Sequence, residues 1–488
     1  MTKRREQEAA TVGQVQESVN AVDVAIVGAG TSGLSALREV SKRTEKFVMI
    51  NAGPYGTTCA RVGCMPSKAL IAAANAFHDR TKLDEFGIRG GNELRADIPA
   101  VLRRVRALRD GFVSGVLKRT EDLGERNIAG NARLDGSKRL IVGERTIQAA
   151  QIILAPGSSP VVPRPWRALG ERVLTSDTLF EQEDLPPRIG VIGLGPLGTE
   201  IAQALSRLGI EVHAFDARDQ IAGIADEQVA AVVLEELKKE FTIHLDTQVK
   251  LSEAGKGVEI RWEGGSVTVD KVIAAVGRRP NLEGLGLETL GVPLDKHGMP
   301  EVDPMTMRIG NTTVLLAGDA NGDKPLLHEA ADEGHIAGLN ATSKEPIRLA
   351  RRTSLSMVFC DPEVASVGQR LKDLDPKTTL LGEVSFARHG RARMMQENRG
   401  IIRLYAASSD GRMLGAELAV PGAEHMAHLL ALAIGQELTV HDMLRMPYYH
   451  PTLEEGLRSA LRKVSRELPP CAMSDLAGCG PLGAEALD

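Results

Sequence analysis

A glycine pattern that occurs twice constrains the fold of this chain more than any other feature. Each copy follows an apolar run, has the spacing G-x-G-x-x-G, and precedes a stretch with helical periodicity. A strand, a tight glycine turn and a helix in this order predict a β-α-β unit. Two such units predict an α/β fold with two Rossmann-like domains. The six glycines are Gly28, Gly30, Gly33, Gly193, Gly195 and Gly198.

The glycine spacing also predicts the kind of ligand. The first glycine allows the turn, the second lets the backbone approach a pyrophosphate, and the third lets the helix pack on the strand. The helix N-terminus then offers free N–H groups and a partial positive charge to the phosphates. We therefore expect two dinucleotide sites, one for a flavin adenine dinucleotide and one for a nicotinamide dinucleotide.

The residue that ends the second strand of each unit bears on the choice of nucleotide. After the second glycine pattern this residue is Asp216, whose carboxylate would accept hydrogen bonds from ribose hydroxyls and repel a 2′-phosphate. This favours NAD, although Arg218 keeps NADP open because it could pair with such a phosphate. After the first pattern the residue is Asn51, which can accept a ribose hydrogen bond without carrying charge.

Two of the five cysteines lie close together in "TTCARVGCMPSK", at Cys59 and Cys64. Gly63 permits an unusual backbone conformation, and Pro66 suits the first turn of a helix over "SKALIAAANAF". A thiolate at a helix N-terminus is stabilised by the helix dipole, and Lys68 adds positive charge. The pattern predicts a reversible dithiol–disulfide near the flavin. Two inert, packed thiols are the alternative.

Composition excludes several functions and locations. The formal net charge of -5 does not indicate nucleic-acid binding, and no apolar run is long enough to span a membrane. The polar N-terminus lacks the apolar core of a signal peptide, so we expect a cytoplasmic protein. No second cysteine pair or histidine cluster lies near Cys59 and Cys64, so we expect no metal site.

The segment "GTTCARVGCMPSK" resembles the redox-active segment of the flavin-dependent pyridine nucleotide–disulfide oxidoreductases. The dihydrolipoamide dehydrogenase branch of that family is the most similar. The likeness runs from about residue 22 to about residue 461 and includes "AAVGRRPNLEGLGLE", "VLLAGDANGDKPLLHEAADEG", "MVFCDPEVASVG" and "YYHPTLEE". It implies an FAD enzyme that couples a dithiol to NAD, with a C-terminal α+β dimerisation domain.

The resemblance assigns roles to matching positions. Cys59 would attack the substrate disulfide, and Cys64 would form a charge-transfer contact with the flavin. Lys68 would lie near the flavin and pair with Glu200. The flavin set is Gly28, Gly30, Gly33, Asn51, Thr58, Lys68, Ala132, Gly157, Ser158, Gly318, Asp319, Leu326 and His328. The nicotinamide set is Gly193, Gly195, Gly198, Glu200, Asp216 and Gly277.

A histidine and a glutamate near the C-terminus complete the implied catalytic set. His450 precedes Glu455 by five residues in "YYHPTLEE". A carboxylate on an imidazole fixes its tautomer and stabilises the imidazolium, which suits the deprotonation of a thiol. In the family this pair comes from the partner subunit, which implies an obligatory homodimer. We interpret His425 and His428 as structural, because both lie on an apolar helical stretch.

The order of the motifs implies a domain organisation. The domains predicted are a leader at 1–21, an FAD domain at 22–160 and 280–349, an NAD domain at 161–279, an interface domain at 350–468 and a cysteine-containing tail at 469–488. The chain departs from the family pattern at Pro156, at the pair Ala60–Arg61, and at Tyr448 and Tyr449. The last two departures bear on the substrate approach and leave the lipoyl substrate open.

Three functional hypotheses therefore stand. The first is a dihydrolipoamide dehydrogenase acting on a small dithiol or a lipoyl-bearing protein. The second is an NAD(P)H-dependent reductase of another disulfide or of a metal ion, and the third is a non-enzymatic nucleotide-binding scaffold in a complex. Cys471 and Cys479 bear on the second hypothesis, because the large thioredoxin reductases carry electrons through a C-terminal cysteine pair. Two incidental tail thiols are the alternative.

Overall fold

The computed structural model of the protein describes residues 20–472 and 475–480. Most of the predicted leader lies outside the described residues; residues 20 and 21 begin the first strand. The helices are α1 Thr31–Val40, α2 Thr58–Arg61, α3 Cys64–His78, α4 Ile98–Glu121, α5 Ser176–Leu179, α6 Pro196–Arg207, α7 Glu227–Leu237, α8 Leu327–Thr342, α9 Gly390–Met394, α10 Ala423–Gly435, α11 Val440–Arg445 and α12 Glu455–Ser465.

The strands are numbered in the same way along the chain. The first eleven are β1 Asn20–Val27, β2 Phe47–Asn51, β3 Asn127–Ala129, β4 Ala132–Leu134, β5 Arg139–Val142, β6 Arg145–Leu154, β7 Ser158–Pro160, β8 Val173–Leu174, β9 Arg188–Ile192, β10 Glu211–Phe215 and β11 Thr242–His244. The others are β12 Lys250–Ala254, β13 Gly257–Trp262, β14 Gly265–Val269, β15 Lys271–Ala274, β16 Arg278–Pro280, β17 Val314–Leu316, β18 Leu355–Val358, β19 Val364–Gly368, β20 Thr379–Ser385, β21 Ile401–Ala407 and β22 Met413–Ala419.

The described residues form two compact units, and the first consists of residues 20–56, 116–157 and 280–349. Its sheet has the order β3-β2-β1-β6-β5-β4, with β17 also paired to β6. The pairs β1–β2, β1–β6, β2–β3 and β6–β17 are parallel, whereas β4 and β5 join as an antiparallel extension. Parallel strands need crossover connections, and α1 supplies the one between β1 and β2.

Close packing of α1 and α8 covers one face of this sheet. The backbone of α8 approaches that of α1 at two glycines one helical turn apart. A Cβ atom on Gly334 would stand 2.1 Å from the Ser32 carbonyl oxygen, and one on Gly338 would stand 2.7 Å from that of Ala36. Larger residues at either position would push the two helices apart.

The second unit consists of residues 57–115, 158–279 and the described residues from 350 onward. It contains a parallel sheet in the order β11-β10-β9-β15-β8 and an antiparallel hairpin sheet, β12-β13-β14. It also contains an antiparallel sheet in the order β18-β19-β22-β21-β20, against which α10 and α12 pack. Helices α3 and α6 pack against each other and share one buried apolar cluster.

These sheets and helices confirm the predicted α/β class with two Rossmann-like units and a C-terminal α+β region. Within the part of the chain that the structure describes, no helix has both the length and the apolar character that a bilayer-spanning segment requires.

Candidate active site

The two closely spaced cysteines lie where a short helix gives way to a longer one. Thr57 caps α2, because its side-chain oxygen accepts the Ala60 N–H at 3.2 Å. Gly63 then has φ -118 and ψ -117, and a Cβ atom there would stand 3.1 Å from the Thr58 carbonyl oxygen. This turn ends α2 and starts α3 at Cys64, so the second cysteine is the first residue of a fifteen-residue helix.

Both residues are free thiols that share a hydrogen bond, and the pair is electrostatically asymmetric. The hydrogen bond from Cys59 lowers the pKa of the Cys64 thiol from 9.0 to about 7, and the Lys68 charge acts in the same direction. The same hydrogen bond, together with burial, raises the pKa of Cys59. Cys64 is therefore the thiolate of the reduced pair, and the position at the start of α3 reinforces this assignment.

Lys68 is held by a buried carboxylate on another helix. Its Nζ lies 2.7 Å from Glu200 Oε2 and 2.9 Å from Oε1, and Glu200 is 3% exposed. Glu200 Oε1 also accepts the Phe359 backbone N–H at 2.9 Å, and Lys68 Nζ stands 4.7 Å from the centre of the Phe359 ring. The pair expected from the resemblance is thus present. Phe359 was not predicted, since nothing local in the sequence links it to this pair.

His450 and Glu455 form a hydrogen-bonded dyad. His450 Nδ1 lies 3.0 Å from Glu455 Oε2, which also accepts the Thr452 backbone N–H at 3.3 Å. A proton on Nδ1 leaves Nε2 free to accept one from a thiol. Arg458 donates from Nη2 to Glu455 Oε1 at 2.8 Å and lies over the Tyr448 ring. Arg458 was not predicted from the sequence, although its position three residues after Glu455 on a helix could have indicated it.

The first glycine pattern, in the first unit, fits an FAD pyrophosphate. A Cβ atom on Gly33 would stand 1.9 Å from the Gly28 carbonyl oxygen, whereas one on Gly30 would meet nothing within 4 Å. Gly30 is the N-cap residue of α1 and has no side chain that could accept the first N–H groups of the helix. These N–H groups are therefore left facing the open space. Asn51 Oδ1 accepts the Ala29 N–H at 3.2 Å and keeps a lone pair for a ribose hydroxyl.

The second pattern, in the second unit, repeats this geometry. A Cβ atom on Gly198 would stand 1.8 Å from the Gly193 carbonyl oxygen, while Gly195 faces open space and caps α6 without a side-chain hydrogen bond. Asp216 is buried, and its Oδ2 accepts the Leu194 N–H at 2.7 Å. This hydrogen bond corresponds to the one between Ala29 and Asn51 in the first unit. The second glycine pattern and Asp216 therefore fit a second dinucleotide.

The remaining predicted residues fall at turns and at the starts of helices and strands. In the first unit, Gly157 and Gly318 have positive φ angles, and the Gly318 N–H donates to Glu333 Oε2 at 2.6 Å. Asp319 follows Gly318, Leu326 caps α8, His328 lies in its first turn, and Ala132 begins β4. In the second unit, Thr58 begins α2, and Gly277 directly precedes Arg278, which donates to Ser158 Oγ at 2.8 Å.

Several residues named in the sequence reasoning have plain structural settings. His425 and His428 are exposed on α10. Arg218 donates from its backbone N–H to Asp216 Oδ1 at 2.9 Å, and its Nε lies 3.4 Å from the same oxygen. The tail cysteines differ in burial, since Cys471 is partly buried and Cys479 is exposed.

Comparison with known proteins establishes the family. A family model described as pyridine nucleotide-disulphide oxidoreductase matches residues 22–334, and the dimerisation domain of the same family matches residues 354–461. The chain therefore belongs to the pyridine nucleotide–disulphide oxidoreductases, which contain FAD and depend on a pyridine nucleotide. The predicted enzyme class and its cofactors are confirmed, and the dimerisation domain supports a homodimer.

Relatives agree with this assignment, and solved structures share the fold. A dihydrolipoyl dehydrogenase of Thermus scotoductus is 31% identical over 91% of this chain and 98% of the relative. One of Bacillus subtilis is 30% identical over 89% of this chain and 94% of the relative. In fold, the chain is similar to LpdA from Mycobacterium tuberculosis, with a TM-score of 0.80 at 24% identity over 91% of this chain and 99% of that one. It is also similar to the HOCl-induced flavoprotein disulfide reductase RclA from Escherichia coli, with a TM-score of 0.78 at 22% identity over 91% of this chain and 100% of that one.

Proposed function

We propose that the protein is a dihydrolipoyl dehydrogenase, which oxidises a dihydrolipoyl dithiol and reduces NAD. The observation that carries this proposal is the placement of the thiol pair: Cys64 begins α3, four residues before Lys68, whose Nζ is held by Glu200. The hydrogen bond from Cys59 lowers the pKa of the Cys64 thiol. A nucleophilic attack on the oxidised pair needs one sulfur that leaves readily, and a thiolate of low pKa is the better leaving group. The names of the relatives favour the lipoyl group as the substrate.

The chain's own residues account for the thiol chemistry. His450 Nε2 takes the proton of one substrate thiol, and the thiolate attacks Cys59 Sγ of the oxidised pair. The Cys59–Cys64 bond breaks, a mixed disulfide forms at Cys59, and Cys64 leaves as a thiolate stabilised by Lys68. The second substrate thiol then attacks the substrate sulfur of the mixed disulfide and releases Cys59. The substrate loses two electrons and two protons, and the cysteine pair gains the two electrons.

The cofactors complete the reaction. When bound, FAD accepts the two electrons of the dithiol and supplies a hydride to NAD. The glycines of the first pattern would hold its pyrophosphate, and those of the second would hold that of NAD. We propose NAD rather than NADP, because the Asp216 carboxylate repels a 2′-phosphate.

We also propose that His450 and Glu455 of one subunit serve the cysteines of the other. Family membership and the dimerisation domain support this arrangement. Glu455 fixes the imidazole from its Nδ1 side, which leaves Nε2 for the substrate thiol. Mixing a Cys59→Ser protein with a His450→Ala protein would test the arrangement. Neither parent protein should be active alone. After the subunits exchange, the heterodimer should be active, because one of its two sites combines an intact Cys59 with an intact His450.

The function itself is tested by the reduction of NAD with dihydrolipoamide. The purified, FAD-loaded protein should turn over at roughly 1 to 1000 per second. His450→Ala should lower that rate by about 10² to 10⁴, as loss of a general base does. Reduction of the bound flavin by NADH should remain normal in this variant, because that step needs no thiol deprotonation. Negligible turnover of the wild type with an NADH-reducible flavin would exclude the lipoyl substrate.

A second candidate is the reduction of another disulfide. It is favoured by Ala60 and Arg61 between the cysteines and by Tyr449, which is 81% exposed beside His450. Bulky and charged groups at these positions would suit a larger or anionic disulfide. A panel of disulfide acceptors assayed with NADH separates the two candidates. A disulfide reduced at least tenfold faster than lipoamide would replace the first proposal.

A further inference from the structure

Two polar contacts with the same spacing on both partners join helices α3 and α6. Lys68 on α3 pairs with Glu200 on α6, and Asn75 on α3 accepts a hydrogen bond from Arg207 Nη1 on α6 at 2.7 Å. Each helix places its two contact residues seven positions apart, which is two helical turns or about 10.5 Å. Because the contacts follow the same order on both helices, α3 and α6 run in the same direction. Arg207 therefore anchors α3 near the end that is remote from Cys64.

Arg207 lies at the centre of a buried network of ion pairs, and its side chain is 3% exposed. Its Nε and Nη2 donate to the two carboxylate oxygens of Glu240, both at 2.7 Å. Nη2 also donates to Asp361 Oδ2 at 2.8 Å, and Arg399 Nε donates to Asp361 Oδ1 at 3.1 Å. With the bond to Asn75, the guanidinium makes four hydrogen bonds from its five N–H groups.

The chain segment that follows β18 binds the same face of α6 as this network. The Phe359 N–H donates to Glu200 Oε1 at 2.9 Å, and the Asp361 N–H donates to Gln203 Oε1 at 2.8 Å. Gln203 Nε2 donates in turn to the Asp361 carbonyl oxygen at 2.9 Å. Glu200, Gln203 and Arg207 share one face of α6, because three, four and seven positions correspond to about one, one and two helical turns. Hydrogen bonds thus connect Arg207 to Glu200 through this segment.

We propose that Arg207 is a positioning residue for the Cys64 thiolate, which it controls from two helical turns away through Glu200 and Lys68. This inference rests on the proposed function, which gives the Cys64 thiolate its part in the reaction. Arg207 itself contacts neither thiol. It holds the segment after β18 against α6, so that the backbone bond to Glu200 is kept while that carboxylate pairs with Lys68.

Loss of the guanidinium would leave two carboxylates, Glu240 and Asp361, that now share Arg207 Nη2. Burial acts to raise the pKa of Asp361, but Arg399 and Arg207 outweigh it and lower that pKa, so Asp361 is ionised in the network. Breaking a buried ion pair on one side is costly, because it leaves an uncompensated charge. We therefore expect the segment after β18 to move away from α6 and its backbone bond to Glu200 to be lost.

The effect on Cys64 then has a definite sign. The pKa of Cys64 is lowered first by the hydrogen bond from Cys59 and also by the charge of Lys68, while Glu200 acts to raise it. Without a backbone donor, the Glu200 carboxylate is less neutralised and opposes the thiolate more strongly. We expect the pKa of Cys64 to rise by about half a unit, which lowers the fraction of thiolate at pH 7 about twofold.

The test is the pH dependence of the alkylation rate of Cys64 in the dithiothreitol-reduced, FAD-loaded protein. Arg207→Met should move the midpoint upward by about half a unit, and Arg207→Lys should recover part of that shift because lysine keeps the charge without the planar fork. Arg403→Met is the matched control. Arg403 has a side chain that is 10% exposed and also lies between two carboxylates, Asp226 at 3.0 Å and Glu383 at 3.2 Å, neither of which belongs to α3, α6 or the segment after β18.

A second variant keeps the test valid if Arg207→Met does not fold. Gln203→Met leaves every charge of the network in place and removes the amide that joins the segment after β18 to α6. It should also move the midpoint for Cys64 upward. An unchanged midpoint in Gln203→Met, or a midpoint that Arg403→Met moves as far as Arg207→Met does, overturns the proposal. The assay contains no lipoyl substrate, so negligible turnover with dihydrolipoamide would refute the proposed function without changing these midpoints.

Discussion

The charge balance around Cys64 gives the sharpest prediction. Its pKa is lowered to about 7, first by the hydrogen bond from Cys59 and then by the charge of Lys68, while Glu200 acts in the opposite direction. Lys68→Met should therefore raise the pKa of Cys64, and Glu200→Gln should lower it. Both variants break the same ion pair. A general loosening of α3 would shift the pKa of Cys64 in the same direction in both variants, whereas an electrostatic effect shifts it in opposite directions.

The magnitude follows from the helix geometry. Cys64 and Lys68 are four residues apart on α3, which places their Cβ atoms about 6 Å apart. Two unit charges at about 6 Å attract by about 3 kcal/mol at an effective dielectric constant of about 20. Glu200, 2.7 Å from Lys68 Nζ, cancels much of this attraction, and solvent at the exposed Cys64 screens the rest. We therefore expect Lys68→Met to raise the pKa of Cys64 by about one unit.

The assay is the rate at which Cys64 is alkylated in the dithiothreitol-reduced, FAD-loaded protein, from about pH 5 to about pH 9. Trypsin cleaves after Arg61, so Cys59 and Cys64 are measured in separate peptides. The thiolate forms as the pH rises through the pKa, so the rate of the wild type should rise around pH 7 and that of Lys68→Met about one unit higher. A midpoint unchanged in Lys68→Met, or moved upward in Glu200→Gln, would refute the electrostatic account.

Two further predictions concern binding and positioning. Gly33→Ala should yield protein without flavin, because its Cβ atom would collide with the Gly28 carbonyl; Gly30→Ala should keep the fold and bind FAD more weakly. Flavin absorbance and circular dichroism separate these outcomes, and normal flavin content in Gly33→Ala would contradict the packing argument. Arg458→Met should slow dithiol oxidation about tenfold, because Glu455 loses a charged hydrogen bond. Arg458→Lys should recover part of the rate, and flavin reduction by NADH should be unchanged in rapid-mixing experiments; equal rates in all three proteins would exclude a positioning role.

Local patterns predicted the parts of the site that depend on neighbours in sequence. The glycine spacing predicted both nucleotide turns because a tight turn, a close approach and a helix start all fall within six residues. The start of α3 could be predicted for the same reason, from Gly63, Cys64 and Pro66. The structure begins this helix at Cys64 rather than at Ser67, so the second cysteine itself occupies the helix N-terminus.

Contacts between distant residues could not be predicted from spacing. The backbone N–H of Phe359 reaches Glu200 across 159 positions of sequence, and no local pattern encodes that bond. The pairing of Lys68 with Glu200 was expected only because the chain resembles a known family. The contacts of residues 475–480 were likewise not predicted: Arg445 binds the Asp475 carboxylate, and Arg462 donates to the Cys479 carbonyl oxygen.

The buried apolar cluster around α3 and α6 has a consequence for how this protein can be divided. The cluster includes residues of α3 and of the parallel sheet, such as Leu70 and Val191, and also Val358 and Ile401 from the antiparallel sheet. A gene fragment encoding only residues 161–279 would leave its share of this apolar surface facing water. Such a fragment should be insoluble or aggregate when expressed alone, so a boundary that is suitable for describing homology is a poor place to cut the chain.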